Sequence, residues 1–523
     1  MYLIKFKSLY WIAGFCFLSL MVLASFIPIE TVSLPASQVK VTGGIIEGFN
    51  SDNGIRVYKG IPFAAPPVGS LRWKAPQTVN SWKGVRKCVA FGPSPMQNEP
   101  KPFSMWSAEF LIPKAPISED CLYLNVWTGA KTAHEKRPVM VWIYGGGFNS
   151  GGSAVPIYDG EAMAKKGVVF VSINYRVGIF GFFSHPELTK ESVRNASGNY
   201  GLLDQVAALQ WVKQNIAAFG GDPQNVTIAG QSAGSMSVNC LVASPLAKNL
   251  FVKAIAQSGA SFTRKSASLR EAEQEGLKTA QKLNAPSLAA LRNIPAEMLQ
   301  QKGQGMRPII DGYVLPDNIA AIFSGGKENK VALLTGWNED EGLMSGPLKS
   351  AADFRQQAKQ QYGADAKAFL QYYPAANDPE AKASQLHLSR DLIFGIQNYT
   401  WANVQSLKGQ PSVYVYRFTR KVPATDEYVK YGAFHTGEVP YAYDNLKFVD
   451  RPWEPMDYEL ARIISSYWVN FAATGNPNGE NLPNWPAYTV KEKKIMLLGE
   501  KSEAKTLPDQ AALDFLTAKS SGN

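Results

Sequence analysis

Residues 226–234 read Val-Thr-Ile-Ala-Gly-Gln-Ser-Ala-Gly. Val226 to Ala229 has the β-branched character of a short buried strand, and the small residues after Ser232 suit the start of a helix. A Gly-x-Ser-x-Gly pattern alone is weak, since ~7% glycine gives it on the order of 0.2 chance occurrences in a chain of this length. Its position carries the weight. A serine held on a sharp strand-to-helix turn needs glycine on both sides, so that no Cβ clashes where the backbone doubles back. Upstream, Leu202, Val206, Leu209, Val212, Ile216 and Phe219 recur every three or four residues and predict an amphipathic helix stopped by Gly220-Gly221. Val139 to Ile143 and Val168 to Ile173 are continuous apolar runs, as strands covered on two faces should be. Downstream, strands are predicted at Val331–Leu334 and Val413–Phe418, and a helix from Met456 to Phe471. This alternation predicts a large, mostly parallel sheet with helices on both faces and long insertions. Sites in such sheets lie at the carboxyl ends of the strands.

Three further stretches carry chemistry. Tyr144-Gly145-Gly146-Gly147-Phe148 follows the strand at Val139–Ile143, where consecutive glycines can turn backbone N–H groups toward a developing oxyanion. The chain has four histidines. His134 sits in a charged stretch, His185 precedes Pro186 in a turn, and His387 lies in a helical pattern. His435 stands in Gly432-Ala-Phe-His-Thr-Gly437, after the serine in chain order, and is the candidate base. An acid should fall between them at a strand end. Glu339, Asp340 and Glu341 follow the Val331–Leu334 strand, and chemistry alone does not choose among them.

Together these residues resemble the type-B carboxylesterase family, which includes cholinesterases, p-nitrobenzyl esterases and some lipases. The likeness runs from about Gly43 to Pro486. It includes Val57-Tyr58-Lys59-Gly60-Ile61-Pro62-Phe63-Ala64, Pro66-Pro67-Val68-Gly69-Ser70-Leu71-Arg72-Trp73, Ser118-Glu119-Asp120-Cys121-Leu122-Tyr123-Leu124-Asn125-Val126-Trp127 and Gly220-Gly221-Asp222-Pro223 leading to the serine. The resemblance implies an α/β-hydrolase fold. It also implies a triad of Ser232, Glu341 and His435, oxyanion donors at the N–H groups of Gly146, Gly147 and Ala233, and a disulfide joining Cys88 to Cys121. The implied activity is hydrolysis of small or aromatic carboxylic esters through an acyl-enzyme, with no metal or organic cofactor. An interfacial lipase is the nearest alternative, and a non-catalytic adhesion relative is the alternative from another class. Gln231 stands where many members carry Glu, and Tyr144 where many carry His. Neither departure is expected to change the reaction class. The proline-rich loop holding Phe103, Met105, Trp106 and Phe110 is expected to line the pocket mouth and set ester preference.

The remaining sequence frames these expectations. The 523 residues are 45% apolar and 18% charged, which suits a folded chain. No linker-like stretch or repeat divides it. The net charge of +10 is spread thinly, densest at Lys491, Lys493 and Lys494, with no nucleic-acid motif, and reads as a solvated basic surface. Lys5 and Lys7 followed by the apolar run Leu9 to Ile27 read as a secretory signal over residues 1–24, an uncleaved membrane anchor being the alternative. Residues 25–40 then form an N-terminal extension, 41–515 a single catalytic domain and 516–523 a tail. Export to the periplasm or outside the cell leaves Cys88, Cys121 and Cys240, read as one pair and one buried thiol. A small ester is the expected partner. Natural substrate, oligomeric state and use of the sequons at Asn195, Asn225 and Asn398 are not encoded legibly.

Overall fold

Strands built from continuous apolar residues can only be stable where both faces are covered, and here they form the centre of one large sheet. The computed structural model describes residues 37–263, 265–302, 307–343, 346–409 and 412–520. The expected signal segment and most of the extension lie outside these residues, as do the last three residues of the tail. From Ala36 onward the chain is one compact unit.

Among the described residues the main sheet has eleven strands. In chain order they are β1 (Phe49–Asn50), β2 (Arg56–Pro62), β3 (Tyr123–Thr128), β4 (Arg137–Ile143), β5 (Val169–Ile173), β6 (Gly221–Gln231), β7 (Lys253–Gln257), β8 (Ala332–Asn338), β9 (Val413–Phe418), β10 (Lys494–Leu498) and β11 (Glu503–Thr506). Their spatial order is β1-β2-β3-β5-β4-β6-β7-β8-β9-β10-β11. The run from β5 to β10 is parallel throughout. Antiparallel pairs finish both edges. The strands of the centre are those whose sequence is apolar without alternation: β5, β7 and β9 are buried at every residue.

Helices fill the crossovers. Helix α1 (Tyr200–Asn215) buries Leu202, Val206, Leu209 and Val212, the residues whose spacing predicted it. Its expected last turn tightens into a 3₁₀ turn, Ile216–Phe219, and ends at Gly220 with φ 80°, a left-handed position suited to glycine. Helix α2 (Ala233–Ala243) starts at the serine turn and packs on β6 and β7. Helix α3 (Leu269–Lys282) opens with a capping box between Ser268 and Glu271. Helix α4 (Asp378–Arg390), a one-turn π-helix (Asp391–Gly395) and α5 (Ile396–Leu407) follow one another without a break. Helix α6 (Pro455–Thr474) packs on β4 and β6. No helix among the described residues is long and apolar enough to cross a membrane.

The expected disulfide is not present. Cys88 and Cys121 are both buried free thiols, as is Cys240. The sheet register explains why. The Cys88 carbonyl accepts from Lys59 N–H midway along β2, whereas Leu122, next to Cys121, accepts from Phe63 N–H beyond the strand's end. Four strand residues separate those anchor points by roughly 13 Å, and a disulfide needs Cα atoms within about 7 Å. Met96, rather than Cys88, shares a small internal hole with Cys121. Burial pushes the Cys88 thiol up to about 11 and that of Cys240 up to about 12. Both are therefore protonated and inert at neutral pH.

Candidate active site

Ser232 links the end of β6 to the start of α2 with φ 58° and ψ −123°, a conformation that a side-chain-bearing residue rarely adopts. Its flanking glycines are required by space. A Cβ at Gly234 would lie 2.0 Å from the Ile143 carbonyl oxygen, and one at Gly230 would lie 2.5 Å from the Gly234 carbonyl carbon. The turn is held by Ser232 N–H donating to Gln257 O at 2.9 Å and by Met236 N–H donating to Ser232 O at 2.9 Å. Ala233 is the first residue of α2, so its N–H precedes the first intrahelical bond.

Gly146 and Gly147 follow β4 with φ of 108° and 64°. A Cβ on Gly146 would meet Ser150 O at 2.2 Å. Neither glycine N–H has an acceptor among the described residues. The glycine loop and the serine turn line one cleft of about 910 Å³, together with Gln231 and His435. Tyr144 does not enter it. Its ring is fully buried, stacks on Tyr175 at 4.3 Å and donates its hydroxyl to Tyr175 O.

The structure separates the three consecutive acids. Glu341 is fully buried, with Oε2 2.8 Å from His435 Nδ1 and Oε1 accepting from Asn338 N–H at 2.9 Å. Asp340 accepts from Ala433 N–H and so ties the histidine loop to the end of β8. Glu339 pairs with Arg390 and Arg417, and these charges hold its carboxyl down at about 2 despite its burial. The other histidines lie elsewhere: His134 and His387 are exposed, and His185 caps a short helix through Nδ1.

Several residues that touch the site were not legible in the sequence. Phe394, presented by the π-helix, stacks on the His435 ring with centroids 4.4 Å apart. The Gln231 amide nitrogen lies 3.2 Å from His435 Nε2 and 3.4 Å from Nδ1, so the residue expected to matter little contacts the candidate base. No hydrogen bond joins Ser232 Oγ to His435 here. Such contacts are commonly loose before substrate binds. Trp106 reaches in from the proline-rich loop and donates from Nε1 to Thr436 Oγ1 at 3.1 Å. Phe103, Trp106 and Phe110 all line the cleft, as expected.

Glu438 is a second buried carboxylate, three residues beyond His435. Asn338 donates to its Oε2 at 2.5 Å and Gln257 to its Oε1 at 3.1 Å. Burial, and then the charge of Glu341, push its carboxyl up to about 7. The only signal in the sequence was its spacing from His435. Between pH 4.5 and about 7 the folded chain keeps a proton here that the unfolded chain releases. Stability therefore falls as pH rises through this window, by about 3 kcal/mol in all. Glu438→Gln removes the titration. Its melting temperature relative to wild type should accordingly rise between pH 5 and pH 8. An offset that is the same at both pH values would contradict this.

Comparison with known proteins agrees with the geometry. The model of the carboxylesterase family matches residues 35–516. The fumonisin B1 esterase of Sphingopyxis macrogoltabida is 37% identical over 498 residues, covering 91% of this chain and 89% of that one. The para-nitrobenzyl esterase of Bacillus subtilis is 36% identical over 479 residues, covering 87% and 93%. A solved PNB esterase structure superimposes with a TM-score of 0.79 at 33% identity, covering 92% of this chain and 99% of that one.

Proposed function

The chain belongs to the carboxylesterase family and is a serine carboxylic ester hydrolase, and from that premise we propose that Ser232, His435 and Glu341 carry the reaction. His435 takes the Ser232 hydroxyl proton as Oγ attacks the ester carbonyl. Glu341 fixes the imidazole tautomer through Nδ1 and stabilises the imidazolium. The N–H groups of Gly146, Gly147 and Ala233 receive the oxyanion. His435 returns its proton to the departing alcohol. Water then repeats the sequence on the acyl-enzyme, releasing the acid and restoring Ser232. The observation that carries this reading is the buried 2.8 Å contact between Glu341 Oε2 and His435 Nδ1, with the histidine opening onto the cleft that holds Ser232.

The test is covalent. A p-nitrophenyl dialkyl phosphate should inactivate the enzyme with one equivalent per chain, and the added mass should reside on the peptide bearing Ser232. Label on another residue would overturn the assignment.

The substrates proposed are small or aromatic esters, because the cleft wall is aromatic and its rim open. Phe103 is 58% exposed at that rim. Trimming Phe103 and Trp106 to Ala should raise KM for a p-nitrophenyl decanoate by about ten-fold while leaving the acetate within about two-fold, since only the longer chain loses apolar contact. An unchanged ratio between the two esters would remove the loop from substrate selection. Rates that climb only above the solubility limit of the longest esters would favour an interfacial lipase. Export through the N-terminal segment is part of the same proposal. It is supported by the lysine-then-apolar pattern of residues 1–24.

A further inference from the structure

Behind the segments that shape the cleft lies a second cavity, of about 670 Å³. Phe148, which adjoins Gly147, forms one wall, and Met236, one helical turn beyond Ser232, forms another. Phe182, Leu315 and Ile319 complete an apolar floor. That size suits a small organic ligand.

The mouth is different. Lys265, Lys282 and Arg307 stand around it, against the single carboxylate of Glu275. Glu275 is already engaged by Lys278 at 2.6 Å. Lys265 makes only a loose 3.8 Å approach to Glu271. Lys282 and Arg307 are exposed and have no ion-pair partner among the described residues. An apolar floor beneath a positive mouth is complementary to a hydrocarbon chain that ends in an anion.

We propose that this cavity takes the acyl half of the substrate, and that its mouth selects acyl chains bearing a free carboxylate, as in monoesters of aliphatic dicarboxylic acids. The inference rests on Ser232 being the nucleophile. The acyl group stays bonded to Oγ after the alcohol leaves, so it must lie along the start of α2, whose next turn presents Met236 to this cavity. The alcohol departs through the wide cleft on the other side. Lys282 and Arg307 face the chain end and attract its carboxylate. Each exposed pair changes affinity by about two- to five-fold, and the effect is screened by salt.

The experiment compares p-nitrophenyl hydrogen suberate with p-nitrophenyl octanoate, which has the same chain length and no charge. Both are assayed with wild type and with the surface variant Lys282→Gln/Arg307→Gln. The expected result is a roughly ten-fold fall in kcat/KM on the suberate ester, with the octanoate within about two-fold. The fall should shrink in about 0.5 M salt. Equal effects on the two esters, or none on either, would overturn the acyl site while leaving the esterase reading intact. If wild type hydrolyses neither ester, that reading is what fails. Calorimetric titration with octanoate and octanol then reads the cavity directly. Weaker octanoate binding in the variant alone supports it, and equal binding by both proteins sinks it.

Discussion

Ser232→Ala is expected to lower kcat on p-nitrophenyl butyrate by roughly 10⁴- to 10⁶-fold, with the melting temperature within a few degrees of wild type. The loss is large because the hydroxyl is the only atom removed and it is the atom that attacks. The folded state should tolerate the change. Alanine keeps the Cβ already accommodated at φ 58°, and Ser232 Oγ has no hydrogen-bond partner among the described residues to be left orphaned. What activity survives comes from the oxyanion donors and from binding, which still orient an ester and polarise its carbonyl for attack by water. The phosphate label should disappear with it. A variant within ten-fold of wild type would sink the mechanism, because no other described serine, cysteine or threonine lines the cleft at the end of β6. The buried thiols cannot substitute, being protonated and remote from His435.

Much of this site was legible because its backbone demands are written in residue type. Glycines at 230 and 234 are dictated by contacts with neighbouring main chain that no other residue could make. The apolar run Val413–Phe418 became a strand with those same bounds, since burial on both faces leaves no polar position to blur its ends. Where periodicity was mixed, the reading shifted. The helix read to Phe219 runs as α-helix only to Asn215, because its last turn must tighten to reach Gly220. Contacts between distant segments were not legible at all. Phe394 lies in a π-helix between two helices whose own patterns give no hint that one ring faces His435. The disulfide failed for a related reason: spacing along the chain says how long a loop would be, and only strand register says whether its ends meet. The three acids were indistinguishable as sequence, yet the arginines, the histidine loop and the imidazole each take one of them.

That division of labour sets up the other large effect, for Glu341→Gln, where kcat is expected to fall by roughly 10³- to 10⁴-fold. The amide is the same size as the carboxylate, so packing is preserved, but its two ends are no longer alike. With its oxygen toward His435 Nδ1–H, its NH₂ confronts Asn338 N–H, which now donates to Glu341 Oε1 at 2.9 Å. The other orientation satisfies Asn338 and turns the NH₂ on Nδ1. That forces the proton onto Nε2, the nitrogen that must accept from Ser232. Either way the positive imidazolium loses its counter-charge. Glu438 does not rescue it: removing the Glu341 charge favours ionisation of Glu438, yet its oxygens are held by Asn338 and Gln257 and not by the histidine. Glu339→Gln is the control. It breaks the pairs with Arg390 and Arg417, and should lower thermal stability while leaving kcat within about ten-fold. Kinetics and melting curves of the two variants, side by side, decide the matter. If Glu339→Gln abolishes turnover and Glu341→Gln does not, the acid has been assigned to the wrong member of the trio.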